Sequence, residues 1–143
     1  KGGDMPALYL VRHGKTARNG TSDSPDFIRG WDDVPLSDEG RQEARDAAGA
    51  LKPLGIERLL TSDLSRAKET AQIIGKAIGV PAPAPSTDFR PWNLGDFQGK
   101  KTADMLPEMR RLITDAPDEP VPGGESFNSY KSRFLSALRP LLD

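Results

Sequence analysis

The chain contains no cysteine and one histidine. The first absence excludes disulfides and thiolate metal sites, and the two together exclude a multi-histidine metal centre built within this chain. A lack of cysteine is compatible with a reducing compartment, and a cytoplasmic protein is expected. Aromatic residues make up only 6% of the chain, and no apolar run approaches the roughly 20 residues of a membrane span. Neither sign of charge dominates: 20 Lys and Arg face 21 Asp and Glu, for a formal net charge of −1. Without a basic excess or a long basic run, neither a nucleic acid nor a membrane surface is an expected partner. No repeat or shift in composition marks a second domain, and 143 residues suit one domain with a real core. Residues 1–5 lack signal-peptide character and are read as a disordered remnant ahead of a single α/β domain over residues 6–143.

What is present centres on residues 7–16, Ala-Leu-Tyr-Leu-Val-Arg-His-Gly-Lys-Thr. The apolar half predicts a buried strand ending in a turn. The loop after such a strand is where an open α/β sheet places its ligand chemistry. There stand Arg12, the lone His13, Gly14 and Thr16. A neutral imidazole is a nucleophile near neutral pH, and a guanidinium fork suits the non-bridging oxygens of a phosphate. Amides around Gly14 and the Thr16 hydroxyl could add hydrogen bonds. Together these residue types point to phosphoryl transfer, although a lone histidine beside a surface arginine is as easily structural.

Residues 17–34 form a polar segment too long for an ordinary connection, and such loops are often functional. Ser37 is an N-cap, with Gly40 where a capping box would hold Glu or Gln, for a helix running to about Lys52. Residues 58–61 read as a second strand. Ser62 or Asp63 then caps a second helix to about Ile78, with Arg66 in its first turn, where a helix following a strand is a natural anion site. Residues 87–99 read as an aromatic, glycine-rich pocket wall, residues 100–113 as a helix interrupted at Pro107, and residues 125–139 as a last amphipathic helix. The strand–helix alternation predicts three layers, a mostly parallel sheet flanked by helices.

The ordered blocks resemble the histidine phosphatase superfamily, with its phosphoglycerate-mutase-like fold. They are Arg12-His13-Gly14-Lys15-Thr16; Asn19 with residues 30–37 and Gly40; residues 62–67 with Thr70 and Ala71; residues 95–99; and residues 122–126 with Arg133. The resemblance implies that His13 attacks phosphorus and becomes a phosphohistidine. Arg12 and Arg66 would hold the equatorial oxygens, helped by Asn19 and backbone amides, and the loop around Arg29, Gly30 and Trp31 would shape the pocket. It implies no metal or other cofactor. The expected activity is hydrolysis of a small phosphorylated metabolite, with a phosphoglycerate-mutase-type phosphomutase or a non-catalytic phosphate-binding module as alternatives.

Two features depart from the family's pattern. The family completes its pocket with a second histidine on a later strand, and this chain has none. The chain is therefore expected to be a fragment lacking the C-terminal strand and helix, rather than a natural short variant. If it ends at Asp143, a partner or a second copy, as in a homodimer, should cover the apolar surface left open. Many members also place a general-acid glutamate at the position that is Pro91 here. Asp88 and Asp96 are the nearby carboxylates. Loss of that acid weakens the mutase alternative more than the phosphatase. Specificity would lie in residues 21–29 and 88–99.

Overall fold

Helix α1 (Asp38–Leu51) begins where a serine can cap it: the Ser37 side chain accepts from the Gly40 amide. It turns Ala44 and Ala48 inward and packs on α2 (Ser65–Ile78), whose buried side includes Arg66, Thr70 and Ile74. Gly79 ends α2 in the left-handed conformation, φ 77°. Helices α3 (Thr102–Thr114) and α4 (Phe127–Leu142) follow, with single 3-10 turns at Lys52–Leu54, Thr87–Phe89 and Gly95–Phe97. The computed structural model describes residues 6–142; residues 1–5, read above as a disordered remnant, lie outside that range. Among the described residues no helix is long and apolar enough to cross a membrane.

The main core lies under the second half of the chain. Ile28, Trp92, Leu94, Phe97, Leu112 and Val121 bury together, with Met105, Met109, Phe127 and Tyr130 packed against them. Edge-to-face contacts run from Trp92 through Phe127, Tyr130 and Phe134 to Phe89. Within residues 87–99, read above as a pocket wall, Trp92, Leu94 and Phe97 face the core instead. A second correction concerns α3, which continues through Pro107. An interior proline costs about 3 kcal/mol or more. Met105, Met109 and Leu112, spaced three to four residues apart across it, need one continuous helix to reach the core.

None of the expected strands is seen among the described residues. Among the described residues the only β pairings are isolated antiparallel bridges, Thr16 with Leu36 and Phe27 with Lys101. Residues 7–11 and 58–61 belong to no strand. Leu8, Tyr9 and Val11 are close to half exposed, and Leu10 is 82% exposed. An apolar, β-prone run becomes a strand only by pairing, and no described residue pairs with this one.

Candidate active site

The loop that carries His13 is held against the start of α1 by backbone contact. A Cβ at Gly14 would stand 2.2 Å from the Gly40 carbonyl oxygen, and one at Gly40 would stand 2.1 Å from that of Lys15. Only two glycines allow so close an approach. The Lys15 carbonyl accepts from the Ser37 amide at 2.9 Å and its hydroxyl at 3.1 Å, and the Lys15 amide donates to Glu43 at 2.9 Å. Gly40 therefore serves packing rather than a capping box.

On this loop the His13 Nδ1 lies 2.7 Å from the Gly14 carbonyl oxygen. A carbonyl only accepts, so Nδ1 carries the proton and Nε2 keeps its lone pair. Burial pushes the imidazole pKa below 6.5. The Gly14 carbonyl opposes that shift, while the charges of Arg66, Arg29 and Arg12 add to it. The ring is thus held toward its neutral form at neutral pH. A cleft of about 320 Å³ opens beside it, lined by Arg12, His13, Lys15, Asn19, Gly20, Asp26 and Glu43.

Arg66 is 3% exposed, at the start of α2. Burial, and the nearby charge of Arg29, lower its pKa to about 10, which leaves it charged at neutral pH. Its Nη2 donates to the Gly30 carbonyl at 2.6 Å and its Nη1 to that of Asp32 at 2.8 Å. These two bonds use two of its five N–H groups, and Arg66 is not among the residues that line the cleft beside His13. Gly30 adopts φ 51°, which turns its carbonyl toward the guanidinium.

Of the other expected phosphate donors, Asn19 lines the cleft, while Gly14, Thr16 and Arg29 are engaged within the protein. The Gly14 amide donates to the Thr70 hydroxyl at 3.2 Å, and that hydroxyl donates to the Arg66 carbonyl. Thr16 is buried, with both its amide and its hydroxyl donating to Asn19 Oδ1 at 2.8 Å. Arg29 bonds Asp26 and the Phe27 carbonyl. Asp26 stays ionised: burial raises its pKa, but Thr102, the Gly20 amide and Arg29 together lower it further. Pro91 contributes its carbonyl, which accepts from Trp31 Nε1 at 2.8 Å and from Arg133 at 3.2 Å.

Several site-building residues escape sequence reasoning. Asp33 reaches across the fold to accept from the Ser65 amide at 2.7 Å and its hydroxyl at 2.9 Å. It thereby caps α2, where Ser62 or Asp63 was expected. Asp63 instead pairs bidentately with Arg90, at 2.7 and 2.6 Å, and Arg90 lies 4.7 Å over the Trp31 ring. Arg133 donates to the carbonyls of Asp88, Arg90 and Pro91 and to Glu125, and so shapes the loop beneath Trp31. A pair of adjacent aspartates after Gly30-Trp31 was the available signal for Asp33.

A lone imidazole with one nitrogen fixed, set among three arginines, fits the blocks read from the sequence. Residues 8–143 match the model of the histidine phosphatase superfamily (branch 1). The chain belongs to this superfamily. Among curated relatives, a protein of Cronobacter sakazakii named "Probable phosphoglycerate mutase GpmB" is 34% identical over 97% of this chain and 64% of its own. Its Salmonella paratyphi B counterpart is 35% identical over the same shares. This chain thus spans about two thirds, just under, of the length of those relatives. Among solved structures, a mycobacterial glucosyl-3-phosphoglycerate phosphatase in complex with VO3 superposes with a TM-score of 0.74 at 30% identity, over 90% of this chain and 63% of its own. A phosphoglycerate mutase from Thermus thermophilus gives 0.71 at 31% identity, over 90% and 68%. These histidine phosphatases share the α/β fold of phosphoglycerate mutase, the class expected from the sequence.

Proposed function

We propose that this chain carries the nucleophilic half of a phosphatase that hydrolyses a small phosphomonoester. The observation that carries the reading is His13, whose Nδ1–H is held by the Gly14 carbonyl so that Nε2 faces reaction as a free base. Nε2 attacks phosphorus, the P–O ester bond breaks, and its electron pair leaves with the alcohol oxygen, which takes up a proton. Arg66 and Arg12 neutralise the charge that builds on the non-bridging oxygens, and the remaining Arg66 N–H groups supply directional donors. Water then attacks the phosphohistidine, releasing inorganic phosphate and restoring the imidazole. Charge compensation comes from arginine, so no step calls for a metal. The donor of the leaving-group proton is not residue 91, a proline, nor Asp26, which is held ionised.

The names of the curated relatives favour a second reading, a phosphomutase, in which the phosphoryl group passes to another hydroxyl of a bound sugar acid rather than to water. Incubation with a phosphorylated hydroxy acid separates the two. Inorganic phosphate as the main product supports hydrolysis, and the positional isomer as main product replaces it with the mutase. A non-catalytic binding module predicts that His13→Asn keeps phosphate binding and that no protein preparation turns substrate over.

A further inference from the structure

Arg66 is held by carbonyls, so whatever fixes those carbonyls sets the aim of its guanidinium. Gly30 and Asp32, the residues supplying them, flank Trp31 in one short turn closed by the Asp32 amide bonding the Arg29 carbonyl at 2.9 Å. One side chain from elsewhere in the chain grips that turn at two points. Gln98 Oε1 accepts from the Trp31 amide at 2.5 Å, and Gln98 Nε2 donates to Asp32 Oδ1 at 3.2 Å. The other Asp32 oxygen takes Arg18 Nη1 at 2.6 Å. Gly30 has no room for a Cβ because the Gln98 side chain occupies that space. Gln98 is itself anchored, since the two residues that follow it pair with residue 28: Gly99 donates to the Ile28 carbonyl and Ile28 to that of Lys100, both at 2.9 Å.

We propose that Gln98 is a positioning residue for Arg66, acting through the Trp31–Asp32 turn. An amide is the side chain that can do both tasks at once: its oxygen receives a backbone N–H while its nitrogen gives a proton to a carboxylate. Glutamate would set two carboxylates against each other, and an apolar residue would leave the Trp31 amide without its partner. The catalytic meaning of this role rests on the phosphatase reading. The structural claim, that Gln98 fixes Arg66, stands on its own geometry.

The test uses the full chain and Gln98→Met, which keeps the volume of the side chain and removes both hydrogen bonds, with Gln98→Ala as a second variant. The primary readout needs no ligand. Exchange of the Arg66 guanidinium protons with water, followed by ¹⁵N NMR, is expected to speed up about tenfold or more in both variants, with the Gly14 and Thr70 amide signals unmoved. In orthovanadate titrations, both variants are expected to bind several-fold more weakly than the parent chain, while inorganic phosphate, which lacks the trigonal-bipyramidal charge distribution, changes less. Wild-type exchange rates in Gln98→Met would show that volume rather than hydrogen bonding matters and would overturn the inference. If the parent chain itself fails to bind vanadate, the phosphatase reading suffers, and the exchange rates still decide the role of Gln98.

Discussion

Gly40→Ala and Gly49→Ala make one chemical change at two places on α1, and they are expected to move stability in opposite directions. Alanine is the better helix former by about 1 kcal/mol. At Gly49 nothing lies within 4 Å of where a Cβ would go, so most of that gain is realised. At Gly40 the new Cβ would stand 2.1 Å from the Lys15 carbonyl oxygen and 2.8 Å from the Lys15 amide nitrogen. Both are backbone atoms, so no side chain can swing aside, and the helix and the His13 loop must part by more than an ångström. That motion breaks the two bonds from Ser37 to the Lys15 carbonyl and strains the one from the Lys15 amide to Glu43. At about 1 kcal/mol per hydrogen bond, the loss exceeds the helical gain by roughly 1–2 kcal/mol. With a urea dependence of about 2 kcal/mol per molar, Gly40→Ala should lower the unfolding midpoint by roughly 0.5–1 M and Gly49→Ala should raise it by a few tenths. The His13 ring signal should move in Gly40→Ala alone. A Gly40→Ala midpoint equal to or above that of Gly49→Ala would refute the close-contact reasoning.

Since the chain has one histidine, a proton NMR titration reports His13 without assignment, and its midpoint is expected below pH 6.5 because burial, aided by the arginines, disfavours the charged ring. The acidic limb of turnover should lie there too, and stability should decline as pH falls below 6.5, where the unfolded chain takes the proton first; a midpoint at or above 6.5 contradicts the desolvation expected of this half-buried imidazole. Asp33→Ala removes the long-range cap of α2 and should cost about 1 kcal/mol, read by urea unfolding, with Asp33→Asn costing less; an unchanged midpoint would mean that the cap contributes nothing. Arg66→Lys keeps the charge but cannot span the Gly30 and Asp32 carbonyls, so kcat should fall about a hundredfold or more; a loss under threefold would show that charge alone suffices.

The helices were legible because their signals are local. Ser37 at the cap, alanines at helical spacing and glycine at position 79 mark α1 and α2 to within a residue or so, apart from the start of α2. That start was misread because its cap comes from Asp33, 32 positions before Ser65. Pro107 was misread because the penalty is local while the core contacts that outweigh it are not. Strands at residues 7–11 and 58–61 depend on a neighbour that the sequence of the run itself does not specify. Within the site, His13, Arg12 and Arg66 could be singled out by residue type and by position in the ordered blocks. The commitment of Gly14 to Thr70 and of Thr16 to Asn19 could not, because a donor's availability depends on which acceptor the fold brings to it. Gln98, likewise, reads as an ordinary polar loop residue until its partners at residues 31 and 32 are known.

The central claim is that His13 carries the phosphoryl group. Rapid quenching of the chain with a ³²P-labelled phosphomonoester, followed by peptide mapping, tests it directly. The account predicts acid-labile, alkali-stable label on the peptide containing His13, formed and lost at rates compatible with turnover, and none in His13→Ala. Turnover without such label, or label and turnover that persist in His13→Ala, would contradict it.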